Sequence, residues 1–228
     1  MKLYYHPASS TSRPILQFCA DAAIRYEPVM IDLMTGEHFG EAYAAVNPNC
    51  MVPVIDDDGF ILSESSAILK YLAEKHQSPA YPAELQQRAR VNEMMDWFNA
   101  NLYREYGYHL IYPQIFPHHA RQPEVANHAT IEWGKSESTK MLRTLNDYYL
   151  AGGHRYLCGD TLSIADYFGA ALLTLGEIIG SDFHDYPNIE NWLQTIKTLP
   201  SWPEANAAHD GFAAAMQEKT FITLTQEA

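Results

Sequence analysis

Residues 2–31 read KLYYHPASSTSRPILQFCADAAIRYEPVMI, and this stretch decides the fold. It starts with an aromatic, β-prone segment at 2–6 and ends with a second one at 26–31. Between them, from 13 to 23, apolar side chains recur at the spacing of an α-helix. A strand, a helix and a strand in this order predict a βαβ unit with two parallel strands and a right-handed crossover.

The segments that follow complete a small α/β layer. Residues 51–55 (MVPVI) and 60–63 (FILS) flank the acidic turn DDDG at 56–59, and this arrangement predicts a β-hairpin. Residues 64–74 (ESSAILKYLAE) then place their apolar side chains on one helical stripe. We therefore expect a thioredoxin-like domain over residues 1–78.

Beyond Pro79 the chain loses strand alternation and takes up helical periodicity. The prolines of this half mark the breaks between the helices. The predicted helices cover 86–106, 131–150, 164–178 and 188–199. With QSPAYP at 77–82 as a linker, we expect a separate all-α domain of five or six helices over residues 84–228.

Composition argues against several classes of function. The chain of 228 residues carries 28 acidic and 15 basic residues, a formal net charge of -13, whereas nucleic-acid binding draws on clustered Lys and Arg. No run approaches the ~20 apolar residues that a membrane span needs. Three widely spaced cysteines fit a reducing, cytoplasmic setting. Ten histidines form no pair with metal spacing on a predicted helix, so we expect no metal site.

Four hydroxyl side chains in a row, at residues 9–12, precede the first predicted helix. Such a run satisfies the free backbone N–H groups of a helix start, which is an ordinary capping role. It is equally suited to present one hydroxyl to a substrate. The stretch by itself leaves both interpretations open.

Two further stretches also allow both a structural and a ligand-binding interpretation. Pro53 cannot donate to a sheet ladder, so it lies at a sheet edge or follows a cis bond. The cis alternative would leave the N–H and C=O groups of Val52 free to pair with the main chain of a bound peptide. Glu64 and Ser65 either cap the next helix or bind a ligand's ammonium and carboxylate groups. Together with the hydroxyl run, these residues describe a site for a small zwitterionic peptide.

Four stretches of the chain resemble the cytosolic glutathione transferases, and among them the theta and delta classes. They are LYYHPASSTSRPI, DLMTGEHFGEAYAAVNPNCMVPVI, GFILSESSAILKYLAEKH and GDTLSIADYFGAALL. The resemblance extends to about residue 206. It implies an N-terminal thioredoxin-like domain that binds glutathione and an all-α domain with the electrophile site. The implied reaction conjugates the glutathione thiolate to a hydrophobic electrophile.

The resemblance assigns the catalytic hydroxyl to Ser9, the first serine of an S-x-x-[SC]-R pattern. Its role would be to donate a hydrogen bond to the glutathione sulfur and so favour the thiolate of a thiol whose ordinary pKa is about 8.5. Ser10 and Tyr5 are the alternatives, because other classes carry a catalytic cysteine or tyrosine there. We expect Ser10 or Thr11 to cap the helix and Ser9 to remain free for the sulfur.

The implied glutathione contacts follow the family pattern with one departure. They are His38, Met51, Val52, Pro53, Glu64 and Ser65. His38 matches a histidine near the glycine carboxylate, and Glu64 with Ser65 matches the residues that hold the γ-glutamyl group. Met51 is the departure, because relatives often place a lysine there. Glutathione is implied as a co-substrate, with no permanently bound cofactor.

The aromatic-rich segment 103–116 (YREYGYHLIYPQIF) is the candidate electrophile site. Its members either wall a pocket for a planar or apolar electrophile or serve as core and interface aromatics. The candidates are Tyr106, Tyr108, Tyr112 and Phe116. The resemblance also implies a homodimer. A glutathione-dependent dehalogenase, peroxidase or isomerase, or a non-catalytic interaction protein, would use the same fold.

Overall fold

A four-stranded mixed sheet opens the fold in the computed structural model, which describes residues 1–224. Its strands are β1 (Lys2–Tyr5), β2 (Glu27–Met30), β3 (Val54–Asp57) and β4 (Phe60–Ser63). They lie in the order β2-β1-β3-β4, with β1 and β2 parallel and the other pairs antiparallel. The predicted βαβ unit and hairpin, and with them the thioredoxin-like fold class, are confirmed.

The hairpin differs in its bounds from the predicted strands. Asp56 and Asp57 lie in β3, so only Asp58 and Gly59 turn, and their φ values of 55° and 91° are the positive pair that a two-residue hairpin of this type requires. The predicted strand residues before Val54 stay outside the ladder. One reason is that the carbonyl of Met51 accepts hydrogen bonds from the side chains of Tyr43 and Asn47 instead.

Helices joined by loops make up the rest of the described chain. They are α1 (Arg13–Asp21), α2 (Glu41–Ala44), α3 (Ser65–Lys75), α4 (Leu85–Trp97), α5 (Tyr112–Ile115), α6 (Glu124–Thr144), α7 (Ile164–Leu173), α8 (Leu175–Ile178), α9 (Pro187–Lys197) and α10 (Trp202–Met216). Within residues 1–224, no helix combines the length and apolar character that crossing a bilayer requires.

Wider, π-helical turns interrupt this regular pattern. They cover Phe98–Leu102 and Arg104–Ile111, between α4 and α5, and Leu145–Tyr149 after α6. The predicted helix 86–106 therefore continues to Ile115 in changed geometry. The predicted helix 164–178 is instead divided at Thr174 into α7 and α8.

Helix α7 lies at the centre of the core, and every one of its residues is buried. A capping box formed by Ser163 and Asp166 is present at its start. There the buried carboxylate of Asp166 accepts from the Ser163 N–H and hydroxyl, the Leu157 N–H and the Trp192 indole N–H. Burial raises the pKa of Asp166, and these donors act in the opposite direction. The box thus fixes the start of α7 against the loop before it and against α9.

A close backbone contact between α6 and the π-helical segment Arg104–Ile111 fixes that segment in place. A Cβ atom at Gly134 would lie 2.6 Å from the His109 carbonyl carbon and 2.6 Å from the Leu110 nitrogen. Backbone atoms cannot swing away as a flexible side chain would. Only glycine permits this approach.

We therefore predict that Gly134→Ala lowers the free energy of unfolding by about 2 kcal/mol, because the added methyl forces α6 away from the segment. Gly211→Ala in α10 is the matched control, since a Cβ there meets nothing within 4 Å and alanine favours helix. Urea denaturation of both variants measures the difference. Equal stability of the two variants would contradict the prediction.

Candidate functional site

A cavity of about 270 Å³ lies between the sheet unit and the first π-helical segments. Loop and helix-start residues of the N-terminal half form one side, and residues after α4 form the other. The first side is lined by Thr11, Asn47, Asn49, Met51, Val52, Pro53, Ser63, Glu64 and Ser65. The second side is lined by Asn99, Tyr103, Arg104 and Tyr108. Of the predicted glutathione contacts, all except His38 therefore meet at one cavity.

The Val52–Pro53 peptide bond is cis, as one of the two alternatives for this proline required. Within residues 1–224, the Val52 N–H has no hydrogen-bond partner. The Val52 carbonyl differs from the expectation, because it accepts from the Thr11 hydroxyl at 3.1 Å. Of the two Val52 main-chain groups that could pair with a bound peptide, in the described structure the N–H is therefore unpaired and the C=O accepts from a side chain.

Glu64 and Ser65 stand where α3 begins. Glu64 has φ 68° and ψ 112°, a conformation that is uncommon for a residue with a side chain and that is found preferentially at ligand sites. Its carboxylate does not cap α3 in the described structure. The free N–H groups of the first turn and the positive end of the helix dipole are therefore open to an anionic group.

The four hydroxyl side chains at residues 9–12 have different hydrogen-bond partners. Ser9 Oγ accepts from the Ser12 N–H at 3.3 Å and lies 3.0 Å from Thr11 Oγ1. Ser9, which we expected to be free, therefore accepts from the N–H of the residue before α1, and Thr11 rather than Ser9 is among the residues that line the cavity. Thr11, which we expected among the caps, reaches the cavity and Val52. Ser12 is buried, and its hydroxyl accepts from the His6 N–H at 3.5 Å.

Ser10 is buried in a closed ring of three hydroxyls. Its Oγ lies 3.2 Å from the Tyr103 hydroxyl and 3.0 Å from that of Tyr112, and the two tyrosine oxygens are 2.8 Å apart. Each hydroxyl has one proton, so each donates once and accepts once around the ring. Burial raises the pKa of Tyr112 to about 12 and that of Tyr103 well above its ordinary value, which keeps the ring protonated at neutral pH.

This ring predicts a measurable contribution to stability. We expect Tyr112→Phe to lower the free energy of unfolding by about 1 kcal/mol, because two buried hydroxyls lose a partner. Tyr148→Phe is the matched control, since that side chain is 70% exposed and should change stability by less than about 0.5 kcal/mol. Thermal or urea denaturation of the two variants measures the difference. Equal free energies of unfolding would show that the ring does not stabilise the fold.

The predicted aromatic wall is only partly at the cavity. Tyr103 and Tyr108 lie five residues apart, which is about one π-helical turn, so both side chains face the same way. Tyr106 points to the opposite side, is fully buried and donates to the Leu173 carbonyl at 3.1 Å. It belongs to the core, not to the cavity wall. Tyr112 and Phe116 pack against each other behind the wall, with ring centroids 5.7 Å apart.

Two other predicted residues lie away from the cavity lining. Tyr5 packs against the main core cluster. His38 is in the turn Glu37–Phe39, with its ring 3.9 Å from that of Phe39. In the described structure its buried Nδ1 has no hydrogen-bond partner. Burial, and the proximity of His118, lower the pKa of His38.

Three asparagines that line the cavity, Asn47, Asn49 and Asn99, were not predicted from the sequence. Thr11 and Tyr103 also line it, although neither was named as a site candidate. Asn47 Nδ2 donates to the Met51 carbonyl at 2.7 Å, and Asn47 Oδ1 accepts from the Asn49 N–H at 3.0 Å, so this amide shapes the loop that carries Met51 and Val52. The signal was present in the NPN turn at 47–49, directly before the unusual proline. Asn99 gave no comparable signal.

The structure joins a thioredoxin-like sheet to a helical bundle and has a cavity suited to a zwitterionic peptide at the junction. These features define a class of protein. Comparison with known proteins gives its family. The glutathione S-transferase N-terminal domain matches residues 8–75, and the C-terminal domain matches residues 115–200. Human glutathione S-transferase theta-1 is 31% identical over 215 residues, which are 92% of this chain and 88% of that protein. The chain belongs to the glutathione S-transferase family.

Solved structures agree with this assignment. Human glutathione transferase theta-2, in a complex with glutathione and an unknown ligand, superposes with a TM-score of 0.82 at 27% identity, covering 97% of this chain and 92% of that one. A delta-class enzyme of Nilaparvata lugens gives a TM-score of 0.78 at 26% identity, covering 95% and 98%. The fold therefore matches these relatives over nearly the whole chain.

Proposed function

We propose that this chain is a glutathione transferase that conjugates the glutathione thiolate to a hydrophobic electrophile. The observation that carries the proposal is one cavity that gathers the Val52 main chain, the Glu64–Ser65 helix start and a hydroxyl next to α1. In this arrangement residues 1–78 form the glutathione-binding domain. Residues 84–228 form the helical domain with the electrophile site, the last four lying outside the described residues.

Glutathione would bind in an extended conformation. Its main chain would pair with Val52, its γ-glutamyl ammonium with the Glu64 carboxylate, and the adjacent carboxylate with the first N–H groups of α3 beside Ser65. The glycine end would then lie towards Met51 and Pro53, with His38 further out. Because the chain carries a net charge of -13, an anionic ligand depends on these local donors.

The chemical step requires a thiolate and a close electrophile. Hydroxyls at the start of α1 donate towards the sulfur and favour its ionised form, in the role that we assigned to Ser9 from the sequence. The electrophile would lie against Tyr103 and Tyr108, which Tyr112 and Phe116 support from behind. Holding both reactants in one cavity raises their effective concentration. Glutathione is the co-substrate, and the reaction needs no permanently bound cofactor.

A biological role in detoxification within the cytoplasm follows from this activity as part of the proposal. A glutathione S-transferase of the silkworm Bombyx mori, similar at 27% identity and a TM-score of 0.75, metabolises diazinon. One thiolate-forming site also suits dehalogenation, peroxide reduction or isomerisation. A panel with a chloronitrobenzene, an alkyl halide and a hydroperoxide separates these activities.

The glutathione site gives a direct prediction. We expect Glu64→Gln to weaken glutathione binding about tenfold, because the ammonium group loses a charged acceptor, a loss of about 1.4 kcal/mol. Glu218→Gln is the matched control, since that side chain is exposed and is not among the residues that line the cavity. Isothermal titration calorimetry measures both variants.

Two results would contradict the proposal. If the unmodified protein does not bind glutathione at millimolar concentration and is not retained on immobilised glutathione, the chain is a non-catalytic interaction protein. If Glu64→Gln binds as tightly as the control, glutathione is held in a different way.

We also propose that the protein is a homodimer whose interface includes strand β4. Phe60 and Ile61 of this strand are 50% and 45% exposed, and in the described structure β4 pairs only with β3. A hydrophobic strand at a sheet edge is a natural surface for a second copy.

Phe60→Glu should therefore shift the protein to the monomer at micromolar concentration, because a charge would be buried at the interface. Val125→Glu is the control, since Val125 is 73% exposed at the start of α6, where an acidic side chain is well tolerated. Multi-angle light scattering reports the mass. A monomeric unmodified protein, or a dimeric Phe60→Glu variant, would refute this interface.

A further inference from the structure

A buried histidine on α10 has two ring nitrogens without partners. The His209 side chain is 1% exposed, and within residues 1–224 neither Nδ1 nor Nε2 makes a hydrogen bond. A neutral imidazole has one donor and one acceptor, so both of its polar groups are left unpaired. Such buried groups are rare in native proteins, and they point to a bound water, an ion or a functional constraint.

Two carboxylates lie beside this ring. One ligand atom from each of Glu177, His209 and Asp210 lies within 4.8 Å of the other two, and no other three histidine, cysteine or acidic side chains in residues 1–224 come as close. His209 Nε2 is 3.9 Å from Glu177 Oε2, which is too long for a hydrogen bond. Two atoms that each bind one zinc ion at about 2.1 Å can be up to about 4.2 Å apart. The distance between ring and carboxylate therefore fits an ion that bridges them.

Neighbouring contacts hold these side chains in place. Lys197 Nζ donates to Glu177 Oε1 at 2.6 Å, which orients the carboxylate and leaves its second oxygen for an ion. Asn206, one helical turn before His209, accepts from Arg13 and so fixes α10 against α1. Asp210 is exposed, and its carboxylate is free to turn towards the other two ligands.

We propose that Glu177, His209 and Asp210 form a site for a divalent transition-metal ion, with zinc as the best fit, that joins α8 to α10. Imidazole nitrogen and carboxylate oxygen are ordinary zinc ligands, and water would complete the coordination. None of the three residues lines the cavity, so the ion is structural and the inference does not depend on the proposed glutathione transferase function. A search for histidine pairs on one helix does not reveal this set, because its ligands come from two helices.

The charges around the site determine how strongly it binds. Glu177 and Asp210 contribute two negative charges, and Lys197 and Arg13 bring two positive charges close to them. The surroundings therefore add no net attraction for a cation, and the ion depends on its direct ligands. We expect zinc to bind with micromolar affinity and to exchange with the solution.

Calorimetric titration with zinc tests the site in the full-length protein after treatment with a chelator. The unmodified protein should bind one zinc ion per chain. His209→Gln removes the nitrogen ligand and Asp210→Asn weakens an exposed oxygen ligand, and each should lower the affinity for zinc about tenfold or more. Zinc should also raise the melting temperature of the unmodified protein, because a ligand that binds only the folded state stabilises that state.

Two control variants show whether zinc binds elsewhere. His128 Nε2 also lies 3.9 Å from a carboxylate oxygen, that of Glu132, but the His128 side chain is 66% exposed. Asp160 is 81% exposed and lies 3.5 Å from His154. We expect His128→Gln and Asp160→Asn to bind zinc as the unmodified protein does and to be stabilised by it to the same extent.

Three results would overturn the inference. The first is an unmodified protein that binds no zinc at submillimolar concentration, which would mean that water satisfies the buried ring. The second is an equal zinc affinity of Asp210→Asn and Asp160→Asn. The third is a loss of affinity in His128→Gln as large as that in His209→Gln, which would place the ion on the surface of α6. If His209→Gln does not fold, Asp210→Asn and Asp160→Asn decide: a difference of about tenfold or more supports the site, and a smaller one refutes it.

Discussion

The buried guanidinium of Arg13, at the first residue of α1, is the interaction on which the rest of the structure depends. It donates to the Ala171 carbonyl at 2.6 Å, to the Thr174 hydroxyl at 3.2 Å and to Asn206 Oδ1 at 2.5 Å. A buried cation is costly unless acceptors surround it, so α1 must dock where α7 and α10 supply them. Burial lowers the pKa of Arg13 to about 10, which leaves it charged at neutral pH.

Fixing α1 in this way also fixes the hydroxyl loop that precedes it. Ser10 then meets Tyr103 and Tyr112 across the junction, and Thr11 meets Val52 on the sheet side. The cavity exists only where the two halves of the chain come together, since each half supplies part of its lining. A site of this kind needs correct docking as well as correct folding of each half.

Local patterns explain why some features were predictable from the sequence and others were not. The βαβ order, the hairpin and the Asp166 capping box each follow from neighbouring residues, and Val52 and Glu64 line one cavity as expected. The π-helical turns depend on contacts distant in sequence, such as the backbone approach at Gly134, so the aromatic-rich segment alone could not show that Tyr106 faces the core while Tyr103 and Tyr108 line the cavity. The choice among adjacent hydroxyls depends on loop torsions that no periodicity encodes.

The same structure explains how an acidic chain would stabilise a thiolate. Arg104 is a cation at the cavity, and it is already paired with Glu105 at 2.7 Å. The positive potential must come from other sources. The N-terminus of α3 opens at the cavity lining at Ser65, and α1 begins two residues after Thr11, which also lines the cavity. Aligned backbone dipoles and a fixed hydroxyl stabilise a developing anion without rearranging, which suits them to a site where sulfur must ionise repeatedly.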